Sequence, residues 1–474
     1  MTAWINNRLP ESIRRIHLIA VCGTGMGALA CMLKDSGYEV TGSDQNVYPP
    51  MSRFLQEKGI EVARGFSGDN LALLPDLVVV GNAVSKTNPE VQRMMEMGLA
   101  YCSMPQALNH LVAAGKKPIV VTGTHGKTTT AALIAHLLDQ AGLDPTFMIG
   151  GILNNFGGNY RLGSGEHCVV EGDEYDTAFF DKGPKFLHYR PHAAVLTSVE
   201  FDHADIFADL DHVKRVFGQF VAALPTSCRL VAFDEDRNVQ DLISNAPCTV
   251  EAYGQQPDSE WRLGSIDVQP PATAFEVFKN DRTFSCFRSP LMGDHNLRNT
   301  LAAIAVADYL QIPADRIHKA LDSFAGIRRR QEIRGVRNGV TVMDDFAHHP
   351  TAVSETIQAV RPFYRSGRVV AVFEPRTNSS MRDVFQQTYA RSFDGADLVC
   401  IRKPPLLDKI PSGQRFSSEK LVADLTARGK KAHFFPDTDA IIEFLVAEAS
   451  SGDLILVMSN GGFDNIHERL LELL

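Results

Sequence analysis

The sequence predicts an α/β protein built from three successive open-sheet units, and three observations carry that prediction. At 474 residues the chain exceeds what one hydrophobic core commonly serves. Apolar runs of strand length alternate with segments of helical period in every third of it. Two Gly- and cation-bearing junctions, "AAGKKP" at 113–118 and "GIRRRQE" at 326–332, interrupt that rhythm. They bound expected units at 1–115, 116–326 and 327–474.

In the first unit "IHLIAV" (16–21) reads as a buried strand and "MGALACMLKDSG" (26–37) as a helix stopped by Gly37. "YEVTGSD" and "DLVVVGNAV" continue the sheet, and "NPEVQRMMEMG" (88–98) is a capped helix. The second unit opens on "PIVVTG" (118–123) and carries apolar strands "AAVLTSV" and "RLVAFD". Alternating segments "TAFEVF" and "RTFSCF" predict an antiparallel edge. Helices "NLRNTLAAIAVADYL" and "ADRIHKALDSF" close the unit. In the third, strands "VTVMDD", "RVVAVFEP", "ADLVCI" and "DLILVMS" alternate with helices over 350–364, 380–393, 417–428 and 438–449.

Composition excludes several classes. A formal net charge of −9 argues against a nucleic-acid surface. No apolar run reaches membrane-spanning length, and no basic segment followed by an apolar core opens the chain, so neither insertion nor export is expected. Eight scattered cysteines without a CxxC pair suggest neither disulfides nor zinc, but reduced thiols in a cytoplasmic protein.

The chemistry starts at "VVTGTHGKTTTAALIAHLL" (120–138). The common phosphate loop, G-x-x-x-x-G-K-[ST], requires Gly at the position of Val121. Here the loop is shortened to Gly123-Thr124-His125-Gly126-Lys127-Thr128-Thr129, between a strand and an apolar helix. The backbone N–H groups of a tight glycine turn and the positive end of a helix still suit phosphate. Lys127 offers a point charge to the β- and γ-phosphates, and Thr128 a hydroxyl to Mg²⁺.

Two acidic clusters follow strands of the same unit. "CVVEGDEYD" ends in Glu171, Asp173, Glu174 and Asp176, and "LTSVEFDHADIF" places Glu200, Asp202 and His203 at a strand exit. Crowded carboxylates repel unless a cation sits among them, which suits Mg²⁺. Three further segments complete the pattern. "GDHNLRNTLAA" carries His295, Asn296 and Asn299, where helix capping by Asn296 competes with adenine reading. "GIRRRQE" supplies Arg328 to Arg330, and "VMDDFAHHP" supplies Asp344, Asp345, His348 and His349.

Together these motifs, G-T-x-G-K-T-T, E-x-D-E-Y-D, E-x-D-H, G-x-H-N-x-x-N and D-D-F-A-H-H-P, resemble those of the Mur ligases, and the resemblance covers essentially the whole chain. It implies a three-domain fold: a Rossmann-like N-terminal domain, a P-loop central domain and a Rossmann-like C-terminal domain. It implies an ATP-dependent enzyme that joins an amine to a carboxylate with two Mg²⁺ ions. Lys127, Glu174 and His203 become the catalytic centre, with Thr128, Glu174 and His203 as metal ligands. The ATP site takes in 123–129, His295, Asn296, Asn299, Arg328 and Asp345. Many relatives carry a carbamylated lysine after the histidine; Lys214 does not match that spacing and is not assigned.

The first unit has a weaker fingerprint, Gly23-x-Gly25-x-x-Ala28 with Asp44 at the end of the second strand. Alone it suggests a dinucleotide. Beside a Mur-type centre it points to UDP-N-acetylmuramate, with Gly25, Met26 and Gly27 near the pyrophosphate and Asp44, Ser85 and Asn88 as further contacts. The third unit departs from the family's alanine-adding branch in "EPRTNSSMRDVF" and "SNGGFDNIH". In those segments the chain resembles instead the family's peptide-adding branch, and that resemblance implies a murein tripeptide, L-alanyl-γ-D-glutamyl-meso-diaminopimelate, as the amine. His348, His349, Arg376, Asn378 and Arg382 are the expected peptide contacts, the arginines because planar forks match carboxylates. An alanine ligase is the nearest rival; a non-catalytic nucleotide and UDP-sugar sensor, or a dehydrogenase on the first unit, is a rival of another class. A monomer or a homodimer is expected.

Overall fold

The computed structural model describes residues 6–474; the first five residues of the expected 1–115 unit lie outside them. Three sheets form the framework. The first is parallel throughout, in the order Glu61–Arg64, Glu39–Asp44, Arg15–Ile19, Leu77–Val80, Tyr101–Ser103. Leu77–Val80 is buried at every position, which is why it reads as an unbroken apolar run. The helix Thr24–Asp35 buries everything from Met26 to Leu33. The helix Met51–Glu57 and the strands Glu61–Arg64 and Tyr101–Ser103, absent from the sequence reading, are short segments placed by pairing and packing.

The second sheet has ten strands. Its parallel centre includes His167–Gly172, Lys117–Thr122, Ala193–Leu196 and Arg229–Phe233 side by side. The expected antiparallel edge is there, Ala272–Lys279 against Arg282–Ser289. The opposite edge carries an unexpected one, Gly158–Arg161 against Thr146–Leu153. Because Lys117–Thr122, His167–Gly172 and Ala193–Leu196 run parallel in adjacent positions, the segments that follow them emerge together at one carboxyl edge. That edge is where open α/β sheets bind ligands. The helices Lys127–Gln140 and Asp294–Tyr309 pack on each other above it, largely through buried alanines that allow a close approach. Truncating the buried Leu133 or Leu301 to alanine costs about 2–5 kcal/mol.

The third sheet runs Glu332–Arg337, Val340–Asp345, Leu454–Met458, Val369–Phe373, Leu398–Arg402, Lys431–Phe435, with only the first strand antiparallel. All four expected helical regions hold helices, Pro350–Val360, Gln386–Ser392, Ser418–Ala427 and Thr438–Glu448, and a further one, Ile466–Leu473, ends the chain. Apolar packing is continuous between the first two domains. No helix among the described residues is long and apolar enough to cross a membrane.

Candidate active site

The phosphate loop is shaped by two glycines that no other residue replaces. Gly123 has φ 132°, and a Cβ there would lie 2.1 Å from Thr197 Oγ1. Gly126 has φ 81° and caps the helix Lys127–Gln140; a Cβ on it would lie 2.4 Å from Asn299 Oδ1. The first turn of that helix contains no acid, so its N–H groups face the cleft uncompensated.

Lys127 Nζ donates to the carbonyl of Gly123 at 2.6 Å and to Glu174 Oε2 at 3.0 Å. Glu174 is buried, and its Oε1 lies 3.4 Å from His203 Nε2. Burial alone would drive the proton off Lys127, yet Glu174, Asp173 and Glu171 outweigh it and hold its pKa above the usual lysine value. Burial likewise opposes ionised Glu174, but Lys127 and His203 hold its carboxyl below the usual range. Asp173 stays low for the same reason, between Lys185 and Lys127. Glu171 is the exception. Burial and Asp173 push its pKa up, while Gly150 N–H and the Thr128 hydroxyl donate to it at 2.6 and 3.1 Å. Thr128, Glu171, Asp173, Glu174 and His203 thus form an oxygen-rich, carboxylate-dense donor set of the type a hard divalent cation takes.

Thr128, Asp173 and His203 face a cleft of about 510 Å³ between the second and third domains. Thr124 to Thr129, His203, His295, Asn296, Asn299, Asp345, His348 and His349 line it. Gly123 and Glu174 sit just behind the wall, bonded to Lys127. Asn296 is not the helix cap: Gly293 holds that position, and the Asn296 amide donates to Met292 O at 2.9 Å. Asn299 Oδ1 accepts from Thr130 Oγ1 at 3.2 Å behind the loop.

The arginine junction requires a correction. Arg328 is exposed and takes no part in the cleft wall; its backbone N–H is tied to Ile152 O. Left-handed backbone at Arg329 (φ 62°) and Gln331 (φ 50°) turns Arg330 into the cleft instead, with its guanidinium 4.8 Å from the Phe346 ring centroid and beside Asp345. Arg329 donates to the carbonyls of Ser459 and Gly461, both at 2.6 Å. Three other expected contacts also lie outside the cleft wall. Arg376 packs on Gly461 and lies 3.5 Å from buried Glu374, Arg382 donates to Gln414, and Asn378 donates to Asp205 Oδ2 at 2.8 Å. Sequence reasoning missed Phe233, Tyr253, Arg298 and Glu355, which line the cleft. Only the position of Phe233 at a strand end in the same sheet hinted at it.

Domain contacts converge on Glu200. Thr351 Oγ1 donates to it at 2.7 Å, His125 Nε2 lies 3.5 Å away and His349 Nδ1 3.8 Å. Burial opposes that charge, but the neighbouring His125 imidazole and the hydrogen bond from Thr351 hold its pKa near 2. The ligand atoms of His125, Glu200 and His349 lie within 4.8 Å of one another. His349 is engaged at both nitrogens, capping the helix Pro350–Val360 and bonding Phe201 O at 3.1 Å, which marks the trio as a domain joint.

A second cavity, about 590 Å³, opens in the first domain. Met26, Asp44, Ser85 and Asn88 line it; Gly25 and Gly27 do not. They lie in the first turn of the helix, where a Cβ on Gly27 would meet Met51 at 2.7 Å. Asp44 accepts from Cys22 N–H at 2.9 Å and fixes the turn, and Asn88 caps Pro89–Glu96.

A glycine-shaped strand-to-helix loop backed by buried carboxylates, in a cleft closed by a further α/β domain, defines a nucleotide-using enzyme of three α/β domains. Family profiles match all three: the Mur ligase family catalytic domain over 15–116, the Mur ligase middle domain over 121–307, and the Mur ligase glutamate ligase domain over 328–461. The chain belongs to the Mur ligase family. It is 41% identical to the UDP-N-acetylmuramate–L-alanyl-γ-D-glutamyl-meso-2,6-diaminoheptandioate ligase of Escherichia coli K12, covering 97% of this chain and 98% of that protein. To a UDP-N-acetylmuramate–L-alanine ligase of Caldanaerobacter subterraneus it is 33% identical over 98% of each. The crystal structure of a murein peptide ligase from Psychrobacter arcticus is similar with a TM-score of 0.73 and 34% identity, covering 97% of this chain and 98% of that one.

Proposed function

We propose that this chain is an ATP-dependent ligase joining L-alanyl-γ-D-glutamyl-meso-diaminopimelate to UDP-N-acetylmuramate, a reaction suited to peptidoglycan recycling in the cytoplasm. The observation that carries the tripeptide over free alanine is the similarity of 41% across nearly the full length to a relative named for that substrate, against 33% for the alanine-adding one.

A carboxylate is a poor electrophile, since direct attack must expel oxide. Transfer of the γ-phosphoryl group to it creates an acyl phosphate with phosphate as leaving group. In this reading Lys127 leaves Glu174 and moves to the transferring phosphoryl group, where its charge is worth most. Thr128, Glu174 and His203 would hold two Mg²⁺ ions, which when bound neutralise phosphoryl charge. Arg330 adds charge from the third-domain side. The peptide's α-amine then attacks the acyl carbon and phosphate departs. Water must be excluded in between, and the joint at Glu200 supports a closed third domain. The 590 Å³ cavity of the first domain is the proposed seat of the UDP-sugar, bounded by Asp44, Ser85 and Asn88.

Phosphate release tests the reading directly. It should depend on ATP and UDP-N-acetylmuramate and be strong with the tripeptide and weak with L-alanine. The reverse preference makes the chain an alanine ligase. No amine-dependent release with either makes it a sensor.

A further inference from the structure

His203 is held in a conformation that its own segment does not favour. Its φ is 51°, in the left-handed region that residues other than glycine adopt uncommonly. On its own domain, His203 N–H donates to Asp202 Oδ1 at 2.6 Å, and its carbonyl accepts from Ile206 and Phe207 N–H at 2.8 and 2.9 Å. Further support comes from the third domain. Ser379 Oγ accepts from Ala204 N–H at 3.1 Å. One hydroxyl of the third domain therefore grips the chain immediately after His203. Asn378 extends the contact to Asp205.

Ser379 is buried and rigidly presented. Its loop folds on itself, with Ser380 Oγ accepting from Arg376 and Thr377 N–H at 3.0 and 2.9 Å and Arg382 N–H returning to Ser379 O at 3.1 Å. The loop follows the strand Val369–Phe373, so it moves with the third domain.

We propose that Ser379 is a positioning residue that sets His203 beside Glu174 only while the third domain is docked, so that the cation-binding edge of the second domain is completed by the domain that brings the amine. This rests on the ligase reading above. Its consequence is economy of ATP: with the third domain away, the segment 202–205 relaxes and phosphoryl transfer to water is disfavoured.

The test uses the full chain, Mn²⁺ with a non-hydrolysable ATP analogue, and two variants. Free Mn²⁺ is read by electron paramagnetic resonance, and backbone exchange of the segment around Ala204 by mass spectrometry. Ser379→Ala should weaken Mn²⁺ binding about tenfold, the size expected for losing a buried hydrogen-bonding group. It should speed exchange at 203–207 while UDP-N-acetylmuramate affinity stays within twofold. Ser379→Thr, which keeps the hydroxyl, should restore both. Undiminished Mn²⁺ binding in Ser379→Ala overturns this proposal alone. No Mn²⁺ binding in the unaltered chain overturns the ligase reading and this proposal with it.

Discussion

Lys127 Nζ and Glu174 Oε2 lie 3.0 Å apart, both largely shielded from water, and His203 Nε2 lies 3.4 Å from the other oxygen of Glu174. Each holds the other's charge in place, so in the proposed reaction the loop would await nucleotide with its lysine stored on the carboxylate assigned to the cation. Lys127→Ala should lower turnover by at least about 10³-fold, by loss of charge at the phosphoryl group. UDP-N-acetylmuramate should still bind, because its proposed cavity lies on another sheet. Calorimetry with the UDP-sugar and a phosphate-release assay check both halves.

The same pair predicts a stability coupling. Removing Lys127 leaves Glu174 buried beside Asp173 with a partner lost, which costs about 3–5 kcal/mol in buried pairs. Neutralising the orphan should recover part of that cost. Lys127→Ala/Glu174→Gln should therefore unfold at higher denaturant than Lys127→Ala alone, and a double variant no more stable than the single would show that the pair carries no net coupling.

Glu174→Ala and His203→Ala should each raise the Mg²⁺ concentration for half-maximal activity by about tenfold or more, given the donor set they belong to. Titrating Mg²⁺ at saturating ATP measures it; an unchanged midpoint in both variants removes them as ligands.

What the sequence could and could not announce follows from where the determinants lie. The candidate site's edge was legible because strand, glycine turn and acids are contiguous in the chain, and parallel neighbours bring 123–128, 173–176 and 197–203 together. The buried runs at 77–80 and 454–458 were legible because a strand covered on both faces is apolar at every position. The choice between Arg328 and Arg330 was not, because it turns on left-handed backbone at Arg329 and Gln331 that domain packing stabilises. The roles of Asn378 and Ser379 were equally hidden, since their partners Asp205 and Ala204 belong to another domain.

That choice of arginine has a measurable outcome. Arg330→Ala should cost roughly ten- to a hundredfold in kcat/KM for ATP, the value of a hydrogen bond to a charged group. Arg328→Ala, exposed and outside the cleft, should stay within twofold. Equal losses in the two variants would mean that the junction turns differently when nucleotide binds.

The last prediction concerns acid. His349 is buried with Nε2 toward Phe201 O and Nδ1 accepting from Thr351 N–H, so a second proton has to break the helix cap. Burial, reinforced by His125, pulls its pKa down to about 4, whereas a histidine in the unfolded chain titrates near about 6.5. As pH falls the unfolded chain takes up the proton first. The stabilisation is complete above about pH 6.5 and is lost progressively toward pH 4, with a slope of up to about 1.4 kcal/mol per pH unit from this residue. His349→Asn keeps a capping side chain but cannot titrate. Denaturant unfolding at pH 7, 6 and 5 should give the variant a shallower decline than the unaltered chain. Parallel declines would mean that His349 takes up its proton equally in both states, and that the joint between the second and third domains is not acid-sensitive through this ring.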